Sequence, residues 1–329
     1  MKTVKKDLQD AVGSLQLCAG QDAGCEAAVH AMSCMFEEDN TEAMLFVDAS
    51  NAFNRLNRQV TLHNTQYICP AMGPILINTY RNASWLFVGG QCMLSKEGTT
   101  QVDPLAMAMY AIGTQPLIHR LNGIGKQVWY ADDSAAGSSV ENLKIWWDLL
   151  EEIGPLYGYF PNGSKTHLLV KPDAAERARV LFEGTGINIS TEGKHYLGGA
   201  IGGTPFLKQF VSKKVQEWAN ELRTLSTFAK TQPHAAYAAF THGLSSKWTY
   251  FLRVTCMEDP ELLQPLESVI RQQFIPALTG KDSPGDLMRK LLALPAKLGG
   301  LSIINPVTIS VEQHSTSKFI SAPPCETST

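Results

Sequence analysis

Six residues constrain the fold of this chain more than any others: Val128-Trp129-Tyr130-Ala131-Asp132-Asp133. Three large apolar side chains and an alanine lead into two adjacent carboxylates, and the small residues Ser134-Ala135-Ala136-Gly137 follow. The apolar half predicts a short buried strand, and the small residues permit a returning one. Asp132 and Asp133 then fall at the bend of a hairpin, on the edge of a core. Like charges side by side repel, and partial burial makes each costlier unless a cation neutralises them. Oxygen-only ligands on a tight turn suit Mg²⁺ or Mn²⁺. Taken alone, the pair reads first as a solvated turn; the rest of the chain reverses that.

A second apolar run, Ala43-Met44-Leu45-Phe46-Val47, ends at Asp48. A continuous run of this length marks a buried central strand, here with an acid at its C-terminal end. If the two strands are neighbours in one sheet, three carboxylates converge. Such a constellation suits two divalent ions in phosphoryl or nucleotidyl transfer, one activating the attacking hydroxyl and one steadying the leaving group.

Around these strands the spacing predicts helices over 3–16, from an Asp22 cap to Phe36, over most of 58–82, over 105–121 and over 139–153. Residues 84–95 form a hairpin about Gly89-Gly90. Strand 166–170 and a hairpin from Ile187 to Ile201 follow. Beyond Gly202-Gly203-Thr204 only helices are expected, over 206–230, 233–254, 259–279 and 284–293. The fold class is therefore α+β. The expected organisation is a mixed, partly antiparallel sheet with helices over 1–204, a helical unit over 205–300, and a tail over 301–329. The tail's end is rich in Ser, Thr and Pro and is expected to be disordered.

Charge and cysteines narrow the partners. The net charge is −3, but 1–204 is acidic and 205–300 is basic, which fits a metal site joined to a segment that grips a polyanion. A solvated helical face explains the basic part nearly as well. The seven cysteines are odd in number, scattered and never spaced as CxxC, so a reducing intracellular setting, cytoplasmic or nuclear, is expected. The start lacks the apolar stretch of a secretory signal, and no apolar run is long enough for a membrane span.

The residues match a family pattern. Phe46-Val47-Asp48 with Ala52-Phe53 comes first, then Glu97-Gly98-Thr99-Thr100-Gln101 with Asp103-Pro104-Leu105-Ala106, then Tyr130-Ala131-Asp132-Asp133. Gly158, Asn162, Ser164-Lys165-Thr166 and Tyr196-Leu197-Gly198 complete it. In these five blocks, in this order, the chain resembles the reverse transcriptases, most of all those encoded by non-LTR retrotransposons. The resemblance implies a palm followed by a helical thumb, and RNA-directed DNA synthesis with an RNA template, a DNA primer and dNTP as partners. It implies Asp48, Asp132 and Asp133 as catalytic carboxylates holding two Mg²⁺ or Mn²⁺ ions, with the Val47 and Ala131 carbonyls assisting.

The same resemblance implies nucleotide contacts from Ala52, Phe53, Gln101 and the residue at Val102. Phe53 falls where an aromatic ring under the deoxyribose blocks a 2′-hydroxyl. Lys165 falls where a proton donor for departing pyrophosphate is expected, and reads equally as a solvated lysine before a strand. Tyr196-Leu197-Gly198 resembles the primer-grip turn. On the thumb, Lys208, Lys213, Lys214, Arg223 and Lys230 are candidate contacts to phosphates.

Two features depart from the pattern. A glycine normally follows the block-two glutamine, where this chain has Val102, a β-branched residue expected to crowd the template or nucleotide. The stretch before residue 22 is also too short for the family's finger strands, so a palm and thumb without most of the fingers are expected. The rival reading is a catalytically inactive retroelement remnant that binds nucleic acid. An RNA-templated RNA polymerase is a third, against which Phe53 argues.

Overall fold

The computed structural model describes residues 4–100, 103–257 and 259–328. The fold is α+β, in two compact units: the chain up to Lys194 together with its end from Ser321, and His195–Ile320. Gln101 and Val102 lie outside the described residues.

The first unit opens with α1 (Lys5–Val12) and α2 (Gly24–Glu37), then β1 (Ala43–Val47). Three helices follow, α3 (Ala52–Arg55), α4 (Arg58–Ile68) and α5 (Gly73–Tyr80), and then the hairpin β2 (Ser84–Val88) and β3 (Gln91–Ser95). Helix α6 (Ala106–Leu121) leads to the hairpin β4 (Lys126–Tyr130) and β5 (Asp133–Ser138), followed by α7 (Val140–Ile153). Strand β6 (His167–Val170), α8 (Ala175–Leu181) and β7 (Asn188–Ser190) close the unit.

The main sheet runs β4-β5-β1-β6-β7, antiparallel except for the last pair. Every residue of β1 is buried, because helices cover both faces of the sheet. On one face Leu45 and Val47 join Trp129, Trp146, Trp147 and Tyr110 in a common core. On the other, Met44 and Met35 of α2 close over Gly137, where even a Cβ would meet the Met44 sulfur at 2.6 Å. A run apolar at every position is what a strand buried on two faces requires.

Four local expectations are corrected. Helix α1 stops at Val12, and Leu15-Gln16-Leu17 lies extended beside β4. Asp22 does not cap α2: Ala23 does, in a left-handed conformation, while Asp22 pairs with Lys5 at 2.6 Å. Residues 187–201 do not form one hairpin, since β7 runs parallel to β6 while β8 (Gly193–Tyr196) pairs with β9 (Gly199–Gly202) in its own two-stranded sheet. The end of the tail, from Ser315, expected to be disordered, continues the helix Pro306–Ser328. Asn305 starts it by accepting the Val307 N–H at 2.9 Å, with Pro306 at the first helical position.

The second unit, His195–Ile320, begins ten residues before the expected boundary because the β8–β9 turn belongs with the helices. His195 packs on Phe210 of α9 (Thr204–Ala229), with ring centroids 4.4 Å apart. Its core is aromatic: Trp218 meets Phe251 edge-on at 5.1 Å, and Phe240 stacks on Phe274 at 4.6 Å. The expected helices 233–254 and 259–279 each contain a π turn, at Phe240–Leu244 and Ile270–Phe274. No helix among the described residues is long and apolar enough to cross a membrane.

Candidate functional site

β1 and β5 are neighbours, with Val47 opposite Ser134. The next pair along that register is Asp48 and Asp133, and residues opposite each other in an antiparallel pair project to the same face. The loop after Asp48 is held by the loop before β6. Asn162 N–H donates to the Asp48 carbonyl at 2.9 Å, and Ser50 N–H to the Phe160 carbonyl at 2.8 Å. Asn51 then turns through a left-handed conformation (φ 54°), which asparagine tolerates, to start α3 with Ala52 and Phe53.

The β4–β5 bend is a two-residue turn, Ala131-Asp132, closed by the pair Tyr130 and Asp133. Ala131 has φ 54°, a region costly for any residue with a Cβ. The bend is clasped from two sides. Gln16 accepts the Ala131 N–H at 2.9 Å and donates to the Ala131 carbonyl at 3.1 Å. Tyr159 donates its hydroxyl to the Asp132 carbonyl at 2.9 Å and shares a hydrogen bond with Ser134.

The three acids feel one another. Burial raises the Asp132 pKa, and Asp48 raises it further. Asp133 is pushed up to about 6 by burial, then by Asp132 and Asp48, with Lys194 pulling the other way. The Lys194 amine is itself lowered by burial, against the pull of Asp48 and Asp133. Asp48 is the more open acid and pairs with Lys165 at 3.6 Å. Buried, mutually repelling carboxylates with hard oxygen donors suit a divalent cation. Among the described residues, however, no three His, Cys, Asp or Glu side chains stand close enough to hold one ion together. The strands bring the acids into electrostatic range without a common coordination point, and Asp48 leans on Lys165 instead.

The other expected residues sort as follows. Phe53 is half-buried and packs its ring on Tyr110 of α6, 4.8 Å between centroids; Ala52 is buried at the start of the same turn. Val47 is buried within the ladder. The Ala131 carbonyl accepts a hydrogen bond from Gln16, which uses one of its two lone pairs. In the second unit, Tyr196-Leu197-Gly198 ends β8 and turns the hairpin, with Leu197 at φ 45° and Gly198 at φ 80°. Tyr250 donates its hydroxyl to the Leu197 carbonyl at 2.8 Å.

Lys208, Lys213, Lys214 and Arg223 all lie on α9, with Lys230 at its end. At about 100° per residue, Lys208, Arg223 and Lys230 share a face within roughly 60°, whereas Lys213 and Lys214 point elsewhere. Lys214 is also paired to Glu217 at 2.8 Å. The phosphate candidates therefore do not form one stripe.

Sequence reasoning missed Gln16, Tyr159 and Lys194. The signal for Gln16 was present in Leu15-Gln16-Leu17, whose alternation is that of a half-buried strand, but the expected helix 3–16 swallowed it. No protein-family model matches this chain, and no curated protein matches it.

Proposed function

We propose that this chain is an RNA-directed DNA polymerase domain, with the sheet unit acting as palm and the helical unit as thumb. The observation that carries the reading is the register of β1 on β5, which sets Asp48 beside the Asp132-Asp133 bend. Asp48, Asp132 and Asp133 would hold the divalent ions, which when bound lower the pKa of the attacking primer hydroxyl and balance charge on the pyrophosphate. Phe53, braced by Tyr110, offers an apolar ring to the sugar of a dNTP. Lys165, 3.6 Å from Asp48, would supply the proton for the leaving group.

A second reading, an inactive remnant that binds nucleic acid, is favoured by the absence of a common coordination point among the described residues and by the Asp48–Lys165 pairing. Primer extension on an RNA template with Mg²⁺ or Mn²⁺ separates the two. The polymerase reading expects DNA synthesis that Asp132→Ala abolishes and Val102→Gly enhances. Absence of Asp132-dependent synthesis from both the natural chain and Val102→Gly overturns it.

A further inference from the structure

Gln16 is fully buried, an unusual position for an uncharged amide unless its polar atoms are matched. Its side chain spends both ends on a single residue, accepting from the Ala131 N–H and donating to the Ala131 carbonyl. A further contact at 3.5 Å reaches the Thr114 hydroxyl on α6. The backbone around Gln16 is fixed as well: Leu17 N–H donates to the Trp129 carbonyl and Trp129 N–H donates to the Leu15 carbonyl, both at 2.8 Å. Ala131 is 4 % exposed and its N–H also faces the Cys18 sulfur. Without Gln16 its carbonyl would lose this partner, its N–H would keep only a weak sulfur acceptor, and its left-handed φ would lose most of its support.

We infer that Gln16 is the positioning residue of the acid pair, clasping Ala131 in its left-handed conformation so that Asp132 and Asp133 are presented beside Asp48. This rests on the proposed metal-binding role of those acids, although the clasp itself can be judged without it. Gln16 touches no substrate or reacting atom. It acts through the turn, as groups behind a metal's own ligands do when they fix ligand orientation.

The test uses the full chain, with Mn²⁺ alone as probe, followed by its electron paramagnetic resonance. Gln16→Met keeps the volume and removes both hydrogen bonds; Ala131→Gly makes the left-handed conformation free of steric cost; the double variant combines them. Circular dichroism and thermal melts establish that each variant is folded. Gln16→Met is expected to weaken Mn²⁺ binding by about 10- to 100-fold, and Ala131→Gly is expected to restore part of that loss. Unchanged Mn²⁺ affinity in folded Gln16→Met overturns the inference. Should Gln16→Met fail to fold, Gln16→Glu, which keeps the acceptor and loses the donor, takes its place in the same comparison. If the natural chain binds no Mn²⁺, the polymerase reading fails. The clasp is then decided by melts alone: a Gln16→Met loss that shrinks in the Ala131→Gly background supports it, and an equal loss in both backgrounds overturns it.

Discussion

The Tyr159 hydroxyl stands 2.9 Å from the carbonyl oxygen of Asp132 and donates to it, while the Ser134 hydroxyl lies 2.9 Å from the same phenol oxygen. Tyr159 is fully buried and meets Trp129 edge-on at 5.3 Å, so the ring is fixed and its hydroxyl is aimed. Tyr159→Phe preserves the packing and strips this one atom, leaving the Asp132 carbonyl and Ser134 hydroxyl without their partner. The expected cost is about 1–3 kcal/mol, read as a lower urea midpoint at unchanged slope. A midpoint equal to that of the natural chain would show that the bend does not depend on Tyr159.

Ala131→Gly tests the strain in the same bend from the other direction. A left-handed residue with a Cβ costs roughly 1–2 kcal/mol, and glycine's greater freedom in the unfolded chain returns part of that. The variant is expected to be more stable by about 0.5–1 kcal/mol, measured by denaturant unfolding. Destabilisation would mean that the alanine methyl contributes packing that outweighs its backbone cost.

Asp133 makes stability depend on pH in a predictable direction. Its folded pKa is raised to about 6, above that of an unfolded aspartate, so the folded state binds the proton more tightly. The stability it contributes is present below about pH 4 and is lost as pH rises through about 6. In metal-free buffer Asp133→Asn is expected to gain about 2–3 kcal/mol over the natural chain between pH 4 and pH 8. A difference between the two proteins that is flat across that range would show that neither burial nor the neighbouring acids raise Asp133.

Much of the site was legible because burial on two faces forces a plain pattern. The run 43–47 and the run before Asp132 had few folds open to them: they lie on either side of β5, so both end in acids at one end of the sheet. What was not legible depends on single polar atoms meeting across long stretches of chain. Gln16 reaches Ala131 over 115 residues, and no local periodicity encodes that meeting. The terminal helix escaped for a different reason: Ser and Thr composition suggested disorder, yet Ser310 and Ser317 are fully buried, two turns apart where small side chains permit close approach. The capping pair Asn305-Pro306 was the readable sign.

In the second unit, Arg289 of the helix Asp286–Ala293 forms a two-pronged pair with Glu267, at 2.6 and 2.7 Å, and donates to the Ile303 carbonyl. Both side chains are almost wholly buried. Removing one partner leaves an uncompensated charge, so Arg289→Met is expected to destabilise by about 3–5 kcal/mol. Arg289→Met combined with Glu267→Leu is expected to recover most of it. A double variant no more stable than the single one would mean that the hydrogen bond to Ile303, rather than the ion pair, is what Arg289 supplies.

Phe53 carries the most specific consequence of the proposed chemistry. Its ring leans on Tyr110 at 4.8 Å with the planes tilted by 35°, and it remains only partly covered. One side is therefore braced by the helix and the core, while part of the residue stays open to solvent. A rigid ring without a polar atom discriminates against an added hydroxyl by leaving it neither space nor a hydrogen-bond partner. Phe53→Val shortens the side chain and keeps an apolar contact with Tyr110, so folding should survive with a loss of about 1–2 kcal/mol. In primer extension the variant is expected to accept ribonucleotides roughly 10- to 100-fold better relative to deoxyribonucleotides. An active Phe53→Val protein with unaltered sugar preference would assign Phe53 to the core alone, and sugar choice would have to come from another residue.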